Sequence, residues 1–307
     1  MSGLKEHILS LDETPVHFWQ GGSGEKTIVF VHGGGSDHAL FSWRAVLPEM
    51  SQSYQVVAPD LPGYGLSPCP SSWAISPQSP LRTLVDSRKF DERVNQNPFW
   101  YHIEFTRKFL EKLELQRVTL VGISMGGGIA LGTALCYPEL VERLCLVDSY
   151  ALTSRMYLSP LTYLFSRSDG LMRFLRNQVC QHRRLIRWGI RWLTYQPKLA
   201  VLETLALEAH ISFCSRGEHP AWRDFLKAEM TPTGNLTSFF PHLNRLEIPV
   251  QIVHGAKDRL ISVAVARRAA KRIKDSWLTV FPNCGHLPPR EYPEYFCALL
   301  RQFLYFW

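Results

Sequence analysis

Nowhere in the 307 residues does an apolar run reach the eighteen or so positions that a membrane-spanning helix needs. The opening stretch MSGLKEHILSLDETPV carries acidic residues where a secretory leader has an apolar core. Both absences lead to the expectation of a cytoplasmic protein. The seven cysteines show no C-x-x-C spacing and are odd in number, so reduced thiols are expected rather than a disulfide framework or a zinc site. No glycine-rich stretch ends in G-K-[ST], and no RNA- or DNA-binding motif accompanies the basic residues. That excludes a phosphate-binding loop and leaves nucleic acid unsupported as a partner. Internal repeats are lacking. Acidic side chains are scarce in one place: residues 155–198 hold nine Lys/Arg against Asp169 alone. This segment carries +8 of a chain whose net charge is +7, leaving −1 on the rest.

What is present is an alternation of strands and helices. Strand-like pieces occupy residues 6–31 (HILSLDET, VHFWQGG, TIVFVHG), and YQVVAPDLPGYG repeats the pattern of an apolar strand ended by a glycine turn. A helix near 99–113, a strand at 118–122, a helix at 127–137 and the strand RLCLVDS follow. The alternation resumes with IPVQIVHGAKD, a helix at 262–274, WLTVFPNCGH and a closing helix from about Pro293 to Leu304. Such a pattern implies an α/β fold, a mostly parallel central sheet with helices on both faces. Two stretches break it. Residues 68–97 are rich in Pro and Ser and read as a long irregular insertion beside the pocket mouth. Residues 150–241 turn helical, with no convincing strand, and read as a helical cap inserted into a core of residues 1–149 and 242–307.

The chemistry starts at TLVGISMGGGIALGTALCYP. Here a β-branched strand ends on Gly122-Ile123-Ser124-Met125-Gly126, and a helix begins at once. Glycines two residues either side of Ser124 permit a turn too tight for side chains, the strand-turn-helix context of a G-x-S-x-G nucleophile elbow. A serine hydroxyl needs a base, and the base an orienting acid. Asp258 follows the strand of VHGAKDRLIS, and His286 follows that of LTVFPNCGHLPP. The order Ser124, Asp258, His286, each at a strand end, assigns nucleophile, acid and general base. Asp148, ending LCLVDS, is a backup for the acid. An oxyanion requires preorganised N–H donors. The backbone of Met125 is the first, and the loop after TIVFVHGGGS supplies the second, Gly34 or, as the alternative, Gly35.

The combination VHGGGSDHALFSW, APDLPGYGLS, VGISMGGGIAL, GAKDRLI and GHLPPREYPEYF resembles the α/β-hydrolase superfamily. In particular, it resembles the capped group that includes meta-cleavage-product C–C hydrolases, esterases and cofactor-free haloperoxidases. The resemblance implies a serine hydrolase acting on a small-molecule ester, with neither metal nor organic cofactor. C–C bond cleavage, or ligand binding with little turnover, are the alternatives. C–C hydrolases usually follow the catalytic histidine with tryptophan, whereas Leu287 stands here. The aspartate nucleophile of haloalkane dehalogenases and epoxide hydrolases is replaced by Ser124.

Within the cap, RRLIRWGIRWLTY at helical spacing places Leu185, Ile186, Gly189, Ile190 and Leu193 on one face and Arg184, Arg187 and Arg191 opposite, with Trp188 and Trp192 at the border. That pattern over 183–195 suits a cap helix with solvated arginines, arginines that steer an acidic substrate, or a peripheral membrane contact.

Overall fold

The computed structural model describes residues 3–84, 95–154, 159–215 and 220–306. Three strands open the chain: β1 (Leu4–Leu11), β2 (Thr14–Gly21) and β3 (Thr27–Val31). After them come α1 (Ala39–Trp43), α2 (Val46–Met50), β4 (Gln55–Pro59), α3 (Leu81–Leu84), α4 (Pro98–Lys112), β5 (Val118–Ile123), α5 (Met125–Cys136) and β6 (Val141–Val147). Five helices then follow without a sheet strand: α6 (Ser159–Ser166), α7 (Asp169–Gln181), α8 (Arg183–Leu193), α9 (Leu199–Ser215) and α10 (Pro220–Glu229). The chain returns through a two-residue hairpin, β7 (Met230–Thr231) with β8 (Gly234–Asn235), a small departure from the strand-free expectation. It finishes with β9 (Val250–Gly255), α11 (Val263–Ala270), β10 (Ser276–Phe281), α12 (Pro288–Glu291) and α13 (Pro293–Phe306).

One eight-stranded sheet has the order β1-β2-β4-β3-β5-β6-β9-β10. Pairings from β4 through β10 are parallel, and β2 joins both β1 and β4 antiparallel. Alternation along each strand divides the apolar residues between two cores. Val29 and Val31 face one, with Leu120, Leu144 and Ile252; Ile28 and Phe30 face the other, with Val121, Cys145 and Val253. Burial on both faces explains why β5 is apolar at every position but Thr119 and shows no alternation. Because β3, β5, β6, β9 and β10 are parallel, their C-terminal ends and the loops that leave them lie along one edge, so residues distant in sequence converge there.

The helical insertion between β6 and β9 is pinned to that edge by polar contacts. Glu229, fully buried at the end of α10, accepts from Asn97 Nδ2 (2.6 Å), Tyr150 OH (2.7 Å) and Thr237 N (3.0 Å). Burial holds its carboxyl above the ordinary range, against these donors. On the other side Arg290 donates to Glu208 of α9 (2.8 Å), and Ser212 Oγ donates to the Ser36 carbonyl (2.6 Å).

Two expectations are corrected. Cys180 of α7 and Cys214 of α9 form a disulfide, while Cys69, Cys136, Cys145, Cys284 and Cys297 are free. The odd count and the missing C-x-x-C said nothing about two cysteines, 34 residues apart, that the packing of α7 and α9 brings together near the C-terminal ends of both helices. The stretch 68–97 has an irregular backbone over most of its described part, as expected, but it is packed rather than a free excursion: Trp73, Ile75, Leu81 and Leu84 are core residues, and Trp73 Nε1 donates to Asp224 of α10 at 3.0 Å. Residues 85–94 of that stretch lie outside the described residues. Among the described residues, no helix is long and apolar enough to cross a membrane.

Candidate active site

Ser124 sits between β5 and α5 with φ 52° and ψ −120°, a conformation that costs a non-glycine residue about 1–3 kcal/mol. The turn is held by the Ser124 N–H donating to the Val147 carbonyl (2.9 Å) and by the Tyr150 N–H donating to the Ser124 carbonyl (2.9 Å). Both flanking glycines are demanded by space. A Cβ on Gly122 would overlap the Gly126 carbonyl oxygen, and one on Gly126 would overlap the carbonyl oxygens of Val31 and His32. The elbow therefore abuts the end of β3, whose loop it must meet.

That loop is fixed by two buried groups the sequence did not single out. His32 Nε2 accepts the Leu61 N–H (3.0 Å), so the ring proton lies on Nδ1 and is donated to the Gly33 carbonyl (2.7 Å). Burial pulls the His32 pKa down to about 4, keeping this ring neutral. Asp37 accepts the Gly33 N–H (2.8 Å) and the Ser42 hydroxyl (2.6 Å). Burial pushes its carboxyl up to about 6, against those donors. With the Gly33 carbonyl held by His32, the trans peptide turns the Gly34 N–H to the side away from the imidazole. A Cβ built on Gly34 would lie 2.5 Å from the Trp222 ring and 3.3 Å from Met125 Sδ, so Gly34 and Met125 are neighbours. Gly35 follows with φ 78°.

His286 Nδ1 lies 2.7 Å from Asp258 Oδ2, and both side chains are buried. Asp258 Oδ1 accepts the N–H groups of Leu260 (2.7 Å) and Ile261 (3.1 Å), which orients the carboxylate. Burial opposes charge on His286, but the Asp258 carboxylate outweighs it and holds the imidazole pKa above its ordinary value. Burial likewise opposes charge on Asp258, and the adjacent His286 keeps this carboxyl below the usual range. The histidine turn is built by Glu291 of α12, which accepts from the N–H groups of Gly285 (2.9 Å), Leu287 (3.2 Å) and Tyr195 (2.7 Å). The His286 N–H in turn donates to the Leu193 carbonyl at the end of α8 (2.8 Å).

Asp148 is drawn to the same edge, in a second layer. Its Oδ1 accepts the Gly255 N–H (3.0 Å) and lies 3.3 Å from His254 Nε2. Burial, then the Asp258 charge, hold its carboxyl well above the usual range, which favours the neutral form of Asp148 behind Asp258. Asp148, His254 and Asp258 bring one ligand atom each within 4.8 Å of one another. The His286 ring takes its partner from Asp258.

Beside the loop, α7, α9 and α10 enclose a cavity of about 240 Å³ whose lining includes Met172, Leu175, Val179, Phe213 and Trp222. Trp222 is thus shared between the cavity wall and Gly34.

The model of the family described as "Alpha/beta hydrolase family" matches residues 28–299. The chain is 28% identical over 286 residues to 2-hydroxymuconate semialdehyde hydrolase of a Pseudomonas species, covering 90% of this chain and 86% of that protein. Its structure is similar to that of 2-hydroxy-6-oxo-6-phenylhexa-2,4-dienoate hydrolase from a Rhodococcus species (TM-score 0.78, 19% identity, 98% of this chain and 99% of that one). It is also similar to a thermophilic esterase from Thermogutta terrifontis (TM-score 0.72, 20% identity, 98% of each chain). At these identities the two structural likenesses speak to the fold.

Proposed function

Because this chain belongs to the alpha/beta hydrolase family, we propose that it cleaves carboxylic esters of small or lipophilic substrates through an acyl-enzyme on Ser124. The observation that carries this reading is the 2.7 Å contact of His286 Nδ1 with Asp258, set on the same sheet edge as a serine strained at φ 52°. With Nδ1 committed to Asp258, Nε2 is the basic nitrogen. It takes the Ser124 proton as the hydroxyl attacks the acyl carbon, then gives it to the departing alkoxide. Water reverses the sequence and releases the acid. The Met125 and Gly34 N–H groups bind the oxyanion at each tetrahedral stage, a term worth roughly 10² to 10³ in rate per donor. The apolar cavity beside Trp222 receives the acyl chain.

Cleavage of a C–C bond is the second reading, supported by the similarity to 2-hydroxymuconate semialdehyde hydrolase. It would use the same serine, but the carbon leaving group must be protonated before it departs. An alkoxide is protonated only as it leaves, by the same imidazole that took the Ser124 proton, so one imidazole suffices for it. Leu287 in place of tryptophan also favours the ester. Stopped-flow hydrolysis of nitrophenyl acetate, set beside a 2-hydroxy-6-oxo-dienoate, tests the assignment. The expected result is a nitrophenolate burst matching the enzyme concentration and a higher kcat/KM for the ester series. A higher value for the dienoate would establish the second reading, and no turnover of either would leave a ligand-binding protein.

A further inference from the structure

Among the described residues, large apolar side chains that reach solvent are concentrated on one part of this molecule: ten of the sixteen exposed ones lie between Leu161 and Ile211, on the helical insertion. On α7 they form a stripe at helical spacing, Leu171, Phe174 (58% exposed) and Leu175, and α7 buries none of its residues. Leu161 and Leu164 extend it onto α6, which packs against α7. A stripe that would normally seal a core is here left open, and patches of this kind mark interaction sites.

Helix α8 says what the partner is. Its buried side is Ile186 and Ile190. At 100° per residue Trp188 falls opposite that side, 67% exposed, with Leu185 on one flank and Arg184 and Arg191 on the other. Trp188 is therefore the crest of the outer face, not its border. Arg187 is paired with Glu203 of α9 at the surface (2.6 Å), whereas Arg183, Arg184 and Arg191 are exposed and meet no carboxylate among the described residues. The segment's +8, the open Leu/Phe stripe and a tryptophan flanked by arginines are the three features of a surface that lies on anionic headgroups with its apolar side chains in the acyl boundary.

We propose that the outer face of α6, α7 and α8 docks on an anionic lipid surface. The inference is independent of which bond the enzyme cleaves. Docking would set the catalytic edge close to the bilayer, since α8 ends on the Leu193 carbonyl that holds the His286 turn and Leu175 stands at the cavity beside Trp222.

The test is cosedimentation of the full chain with vesicles of phosphatidylglycerol and phosphatidylcholine, and of phosphatidylcholine alone, at low and high salt. Binding to the anionic vesicles, lost at high salt, is expected. Replacing Arg183, Arg184 and Arg191 with Gln should weaken it roughly a hundredfold, at about 1 kcal/mol per basic side chain. Phe174→Ser with Leu171→Ser should weaken it at least tenfold, and both variants should keep wild-type activity on a soluble ester. Brominated lipid should quench wild-type tryptophan emission more than that of Trp188→Phe. Failure to bind anionic vesicles at low salt overturns the proposal. So does binding unchanged in both variants, which would move the contact to another basic surface. A concentration-dependent dimer abolished by Phe174→Asp, without vesicle binding, would overturn it in favour of a second copy of this chain.

Discussion

Ser124 combines the hydroxyl proposed as nucleophile with a backbone conformation that its neighbours impose, and the two can be separated by substitution. Ser124→Ala should leave the thermal transition in place, since little packing is lost, while lowering kcat by about 10⁴ to 10⁶. Ser124→Gly should be equally inactive yet more stable than Ser124→Ala by about 1 kcal/mol, because glycine accepts a positive φ without strain. Calorimetry of the two variants checks this. The paired carboxylates differ in role, and pH distinguishes them. Catalysis needs neutral His286, whose pKa Asp258 holds above the ordinary value, so activity should fall as the pH drops through that raised pKa. Asp258→Asn removes the charge, moves the acid limb of kcat/KM to lower pH and cuts kcat by about 10⁴. Asp148→Asn should keep kcat within about tenfold and leave the limb in place, because a neutral amide replaces a carboxyl whose neutral form is favoured and can still accept the Gly255 N–H. If the two pH profiles were exchanged, Asp148 would be the working acid.

At the level of elements, the loop after β3 and the helix α10 meet at a single glycine. Gly34→Val would drive its Cβ into the Trp222 ring and Met125 Sδ, so the loop must shift and carry its N–H away from the oxyanion. The expected signature is a kcat lower by about 10² to 10³ with KM nearly unchanged, since the donor acts on the transition state. A variant that raised KM alone would show that Gly34 shapes the pocket and donates nothing. The glycine run HGGGS was legible as a candidate donor loop. Its supports were not, because Asp37 and His32 read as ordinary polar residues until the fold buries them against the Gly33 amide and carbonyl.

Across the whole molecule, the insertion hangs from the sheet edge by Glu229 on one side and Glu208 with Arg290 on the other, and its helices are tied to each other by Cys180–Cys214. Closing a loop of this length stabilises the oxidised fold by about 3–4 kcal/mol in the chain-entropy account. Cys180→Ser should lower the melting temperature by about 5–6 °C, since at about 2.1 cal/mol/K per residue a chain of this length moves by about 1.6 °C per kcal/mol, and dithiothreitol should lower wild type to the same value. A wild-type transition indifferent to reductant would mean that the pair is not oxidised in solution.

The strand and helix alternation, the order Ser124, Asp258, His286 and the glycine spacing about the elbow are properties of local sequence, and local sequence determined them. Periodicity reports which face is apolar, and a turn's residue types report its geometry, so β5, α5 and the two late turns stand within a few residues of their expected places. Other features depended on which surfaces meet. The disulfide joins cysteines that only helix packing brings together. Trp73 and Leu81 bring a Pro/Ser-rich stretch into the core, Trp73 packing its ring on Tyr101 of α4 and donating to Asp224 of α10. Asp148 stands behind Asp258, and Trp188 on the outer crest, by the packing direction of β6 and α8. Charge and hydrophobicity are carried by the residue, but burial, which decides what a carboxylate or a tryptophan does, is conferred by neighbours from distant parts of the chain.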